Sequence, residues 1–227
     1  MAFNVGFVLF PNVTQLDLTG PLQVLHRLPE SRTHIAAKSL KPVASDCGLS
    51  LVPTTTFATC EPLDLLCVPG GFGVSNAIAD AETIDFVRRQ AGRAKYVTSV
   101  CTGAFVLGVA GLLKGRRATT HWAYTGLLAL VGALYAEARV VRDGNVFTGA
   151  GVTAGIDFAL CVAAEVAGSE AAQRIQLSLE YDPAPPFTAG NPRLAPASVR
   201  AGISERFGAR LLTFRGELEQ AIAPQSA

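Results

Sequence analysis

Cys101 stands where a strand gives way to a helix. The chain there reads YVTSV-CTG-AFVLGVAGLL: an apolar run stops, one Cys follows, a Gly comes two residues later, and an apolar helical stretch begins. A side chain at such a junction projects above the sheet edge near a helix N-terminus, where free backbone N–H groups and the helix dipole favour an anion. That is the setting of a nucleophile elbow. A thiol so placed is expected to have a lowered pKa and to attack carbon. The other four cysteines, Cys47, Cys60, Cys67 and Cys161, lack this context and read as buried, inert thiols. The cysteine count is odd and no two are spaced as CxxC, so neither a disulfide framework nor a zinc site is expected. A reducing cytoplasm fits such usage best.

Three further groups could serve Cys101. Asp17 lies just after the loop that follows the first strand and before an apolar helix; it reads equally as a helix-start residue that complements the dipole and as a functional carboxylate. Gly70 and Gly71 follow Pro69 at a strand end, where a Pro-Gly-Gly turn lets backbone approach closely and aims N–H groups inward. Thr102 carries a hydroxyl that could orient a water or a carboxyl. His121 invites a Cys–His hydrolase dyad, but a lone His is more often hydrogen-bonded scaffold, and it is read as structural. Trp122 is read as packing, with a role near the pocket or interface left open.

Positioning these residues takes a parallel sheet. Residues 3–10, 63–68 and 96–100 are continuous apolar runs, the pattern of strands covered on both faces. Residues 33–37 make another strand, 42–53 a small hairpin turning at Asp46-Cys47-Gly48, and 138–141 with 146–148 a hairpin turning at Asp143-Gly144-Asn145. Helical spacing runs over 18–28, 81–93, 104–113, 121–135, 153–167 and 169–179. The alternation predicts a flavodoxin-like, doubly wound α/β fold with a mostly parallel sheet and helices on both faces. Sites in such folds form beyond the carboxyl ends of strands, which selects the loops 12–17, 70–73 and 101–103. After a Pro- and Gly-rich stretch at 181–196, Val199, Ile203, Phe207, Leu211, Phe214, Leu218 and Ile222 mark one apolar face of a long C-terminal helix. Its glycines, Gly202, Gly208 and Gly216, each weaken it by roughly 1 kcal/mol against Ala, so it should depend on docking. A catalytic domain over 1–182 with a C-terminal loop and helix, 183–227, packed on it is expected.

Composition narrows the function. The 227 residues are 49% hydrophobic and 16% charged, a packed globular profile. A formal net charge of +1 without basic runs gives no reason to expect nucleic acid or a membrane surface. The apolar stretches are too short or interrupted to span a bilayer, and the N-terminus reads as a strand rather than a signal peptide.

LFPNVTQLDLTGP, VPGGFG, VTSVCTGAFVLGVAGLLKGRRATTHW, TGAGVTAGIDFAL and LEYDPAPPF together resemble the DJ-1/PfpI superfamily of flavodoxin-like proteins, and within it the isocyanide (isonitrile) hydratases. The resemblance implies a homodimer acting on a small isocyanide by a reaction that needs no metal or organic cofactor, which fits the absence of ligand clusters and of GxGxxG after a strand. It implies that Cys101 is the nucleophile, with Asp17 beside it sharing a proton, Thr102 catalytic, and Gly70 and Gly71 lining the substrate or oxyanion site. It also implies that the amides of Gly71 and Thr102 line an anion site, and that the helix after Gly149 approaches Cys101. Peptidase-like members carry His directly after the nucleophile; Thr102 stands there instead, against peptidase chemistry. Isocyanide hydratases favour Gly where this chain has Ala150, so helix mobility is expected to differ. The implied reaction is hydration to an N-substituted formamide through a thioimidate-type intermediate on Cys101, with Asp17 as general acid and base. Two alternatives use the same site: a glyoxalase- or deglycase-type activity on α-oxoaldehydes, and a non-enzymatic redox or ligand-sensing domain.

Overall fold

The computed structural model describes residues 2–223. Its centre is a seven-stranded sheet built in chain order from β1 (Phe3–Val8), β2 (Ser31–Ala37), the short hairpin β3 (Val43–Ala44) and β4 (Ser50–Leu51) standing apart from it, β5 (Thr55–Thr56), β6 (Leu65–Val68) and β7 (Tyr96–Val100). A second pair outside the main sheet, β8 (Arg117–Ala118) and β9 (Leu134–Tyr135), precedes the edge hairpin β10 (Val140–Asp143) and β11 (Val146–Gly149). The strand order is β10-β11-β7-β6-β1-β2-β5, parallel throughout except for β10.

The order explains the site. From β1 the chain first adds β2 on one side and later β6 and β7 on the other, so the switch point falls between β1 and β6. Crevices open at such reversals because successive connections leave in opposite directions. The loops after β1, β6 and β7 therefore meet at one edge.

Helices α1 (Gln15–Leu25), α5 (Ala154–Ala167) and α6 (Ser169–Ser178) pack as one layer. The other comprises α2 (Val74–Ala79), α3 (Ala81–Ala91), α4 (Gly103–Val109), a 3-10 helix (Trp122–Val131) and α7 (Ala197–Ile222). Between the layers the sheet is dry: β6 is buried along its whole length, as are the last four residues of β1 and of β7. Phe7, Phe86, Phe105, Phe158 and Phe214 are the largest fully buried side chains, each contributing on the order of 2–3 kcal/mol by leaving water.

Two sequence expectations need correction. The helix expected over 121–135 is a 3-10 helix that stops at Gly132 in the left-handed region (φ 72°), after which the chain forms β9. The long apolar face of α7 does not dock throughout: Phe214 and Leu218 are buried, while Val199 and Ile203 are 49% and 38% exposed, so the helix stands in solvent over residues 197–206 and docks only beyond them.

Candidate active site

β7 ends at Val100, and Cys101 turns the chain with φ 55°. A side chain other than Gly is held in that region only when its surroundings over-determine it, at a cost on the order of 1–3 kcal/mol. Here they do. The Cys101 N–H donates to the carbonyls of Gly149 (3.0 Å) and Ala150 (2.8 Å), and the Cys101 carbonyl accepts from the Thr120 hydroxyl (2.7 Å). Gly103 completes the elbow, since a Cβ there would lie 2.2 Å from the Val68 carbonyl oxygen, and α4 could not start so close to β6. These two bonds bring the loop before α5 to Cys101; the helix itself begins only at Ala154.

Asp17 lies in the first turn of α1 and is fully buried. Its Oδ2 accepts the Gly70 N–H at 3.0 Å, while Oδ1 is buried without a hydrogen-bond partner. Pro21, four residues on, has no N–H to give the Asp17 carbonyl, so the helix is open at this turn. The sequence left Asp17 between a dipole complement and a functional acid; a fully buried carboxyl with one orphaned oxygen is not a surface cap. Burial raises its pKa to about 7, against the opposing pull of the Gly70 amide and the Cys101 thiol beside it; Asp46 adds a further upward push.

Cys101 is 6% exposed. Its thiol is pushed well above the ordinary 9.0, first by burial and then by the charge of Asp17; the Thr102 amide and hydroxyl, which face it, only partly offset this. The lowered pKa expected from the helix N-terminus is thus reversed. Loss of hydration and a like charge outweigh what one short helix supplies. Burial and the charge of Asp17 both favour the thiol over the thiolate at Cys101.

The Gly-Gly turn ties the two loops together. A Cβ on Gly70 would come within 2.6 Å of the Thr102 nitrogen, 2.7 Å of its Oγ1 and 2.8 Å of Asp17 Oδ2, so only Gly fits. The Gly71 N–H donates to Thr102 Oγ1 at 3.0 Å, and that hydroxyl in turn lies 3.3 Å from the Gly71 carbonyl. The Gly71 amide therefore holds the Thr102 hydroxyl, and the amide facing Cys101 is that of Thr102. All five candidates, Asp17, Gly70, Gly71, Cys101 and Thr102, meet at one place.

The other cysteines correct the sequence reading. Cys67 is buried, but Cys47 and Cys161 are exposed and Cys60 is half-buried. Among the described residues no cluster of His, Cys, Asp and Glu is arranged to hold a metal ion. His121 caps the 3-10 helix, its Nδ1 accepting from the Ala123 N–H at 3.3 Å, and burial lowers its pKa. Sequence reasoning missed Thr120, although TTHW was in view, because a hydroxyl reaching across 19 residues to the nucleophile's carbonyl leaves no local pattern. It also missed Asp46, held by the Thr14 hydroxyl at 2.5 Å and placed where its charge acts on Asp17.

Comparison with known proteins gives the family of the fold. The DJ-1/PfpI family matches residues 4–165. Isonitrile hydratase of Pseudomonas putida is 59% identical over 199 residues, covering 88% of this chain and 87% of its own. The crystal structure of a ThiJ/PfpI family protein from Pseudomonas syringae superposes with a TM-score of 0.92 at 45% identity, covering 99% of this chain and 92% of that one. Drosophila melanogaster DJ-1beta superposes with a TM-score of 0.70 at 26% identity, covering 79% of this chain and 98% of its own. The chain belongs to the DJ-1/PfpI family.

Proposed function

We propose that this protein hydrates isocyanides to N-substituted formamides, with Cys101 as nucleophile and Asp17 as the group that moves the proton. The observation that carries the reading is the buried Cys101 thiol beside a fully buried Asp17 carboxyl whose Oδ2 is held by the Gly70 amide and whose Oδ1 has no partner; burial favours the protonated form of both groups. Similarity to the isonitrile hydratase of P. putida supports it.

An isocyanide, R–NC, must gain both a nucleophile and a proton on its terminal carbon. A free thiolate supplies only the first. A thiol beside a carboxylate supplies both: Asp17 takes the Cys101 proton as sulfur attacks, then delivers it to the same carbon, giving R–N=CH–S–Cys101. Water then adds to that carbon, the nitrogen gaining one of its protons, and Asp17 or Thr102 orients it. Collapse of R–NH–CH(OH)–S–Cys101 expels the sulfur and releases R–NH–CHO, and the remaining proton returns to the thiol. A carboxyl titrating near neutrality can act in both directions. Because two coupled groups share the proton, the apparent values belong to the pair. Gly70 and Gly71 act as scaffold, aligning Asp17 and Thr102.

No described helix is long and apolar enough to cross a membrane. A cytoplasmic setting is supported by five free cysteines. The homodimer follows from the family resemblance, and a single-chain mass in sedimentation at working concentration would contradict it.

The experiment is incubation with p-nitrophenyl isocyanide, with methylglyoxal in parallel. Formamide formation by the wild type, lost in Cys101→Ala, is expected. Methylglyoxal consumption without isocyanide consumption would move the assignment to the α-oxoaldehyde alternative.

A further inference from the structure

We infer that α7 is the specificity element of this site: Phe207, with His121 and Trp122, forms an aromatic clamp for the isocyanide's substituent and favours flat aromatic groups over small alkyl ones. This rests on the isocyanide reading and adds the substrate class to it.

The placement comes from bonds already described. Thr120 holds the Cys101 carbonyl, and His121 is the next residue. On its other side the His121 ring lies against Gly151, where an added Cβ would sit 3.0 Å from its Cδ2; the preceding residue, Ala150, takes the Cys101 N–H. Phe105, one helical turn on from Cys101 in α4, touches the same cluster. The rings are thus reached from Cys101 by three separate routes.

The cluster has a floor and a rim. Phe105, Tyr124 and Phe214 are buried, with centroid separations of 5.1 Å for Phe105–Phe214 and 5.5 Å for Tyr124–Phe214. Above them His121, Trp122 and Phe207 are only partly buried. His121 and Phe207 lie 5.5 Å apart at 42°, His121 and Trp122 5.7 Å at 33°, and Trp122 and Phe207 6.3 Å at 73°. Aromatic rings left half-open next to the segments that hold the Cys101 backbone present both faces and edges, the arrangement that accepts another ring in offset or edge-to-face contact. An uncharged substituent asks for such a wall. The cations and acids near it are engaged: Arg210 pairs with Glu217 at 3.2 Å and stacks over Phe214, and the Ser75 hydroxyl donates to Glu217.

Those same contacts fix Phe207. Phe214 and Leu218 are buried, and the Arg210–Glu217–Ser75 cluster pins α7 to α2, holding the turn that carries Phe207. The family match ends at residue 165, and α7 begins at Ala197, so the helix supplies this wall from outside the matched fold.

The test compares kcat/KM for p-nitrophenyl isocyanide and methyl isocyanide in wild type, Phe207→Ala and Phe207→Leu. Phe207 is partly exposed, so neither variant should unfold the protein. Phe207→Ala is expected to lower the aryl value about tenfold, mainly through KM because the ring holds the substituent and not the reacting carbon, and to change the methyl value less than about twofold. Phe207→Leu should fall between. Turnover of both substrates with an unchanged ratio in the variants overturns the clamp alone; a wild type that turns over neither overturns the isocyanide reading and the clamp with it. A second readout does not depend on turnover. Trp122 is the single tryptophan, so p-nitrophenyl formamide binding to Cys101→Ala should quench its fluorescence, and Phe207→Ala in that background should weaken the binding. Absence of quenching at saturating formamide contradicts the placement of the ring.

Discussion

Replacing Asp17 by Asn should make the protein less sensitive to pH and more stable than wild type on the alkaline side. The folded pKa of Asp17 is about 7 against an ordinary 3.8. Between those values the folded state holds a proton that the unfolded state has released. Stability from this group is therefore fully present below about 3.8 and is lost as pH rises through about 7. Integrated over the whole window the difference is on the order of 4 kcal/mol, of which about 2.5 kcal/mol falls between pH 5 and pH 8. Asn conserves the volume and keeps an oxygen for the Gly70 N–H, but it has no charge to bury. Denaturant melts of both proteins at the two pH values give the comparison directly. The wild type should lose about 2.5 kcal/mol more than the variant, equivalent to about 5–10 °C in Tm for a chain of this length. Parallel pH dependence in the two proteins would show that Asp17 is ionised across the range, and the proton-sharing account would fail.

Other consequences follow from the same geometry. Gly70→Ala forces a Cβ against Thr102 and Asp17 Oδ2; it should cost about 2 kcal/mol of stability and at least about tenfold in formamide formation, seen in thermal melts and steady-state assays. With iodoacetamide near neutral pH, peptide mapping should find exposed Cys47 modified before Cys101. Asp17→Asn should speed Cys101 alkylation, because it removes the charge that helps hold the thiol up. Equal rates at Cys101 in wild type and variant would contradict the coupling. In the pH profile, kcat/KM should rise through an apparent value of about 7 as Asp17 gains the ability to take the thiol proton; a profile flat from pH 5 to 9 would exclude that role.

Much of this site was legible because its residues sit at punctuation marks. Pro69-Gly70-Gly71 and Cys101-Thr102-Gly103 end apolar strands, and Asp17 opens a helix, so the three loops could be selected by the carboxyl-end rule alone. What the sequence did not carry was adjacency. That β7, β6 and β1 lie side by side is decided by sheet packing, and the pairings Thr120 with Cys101 and Asp46 with Thr14 follow from it. The sign of the Cys101 shift escapes the sequence for a similar reason: the helix N-terminus is visible there, whereas burial and the facing carboxylate are not. α2, with six residues, and the two-residue strands β5, β8 and β9 are too short to show a period. In α7 the apolar spacing continued to Ile222, but periodicity cannot tell a docked half from a solvated one.

Covalent addition at Cys101 is the central step of the proposed reaction. The direct measurement is acid quench of the wild-type enzyme during turnover of p-nitrophenyl isocyanide, followed by peptide mass mapping. Addition without a leaving group predicts that the Cys101 peptide gains the full mass of the isocyanide, and that the gain disappears when the substrate is exhausted. Turnover with an unmodified Cys101 peptide, or an adduct confined to Cys47, would contradict it.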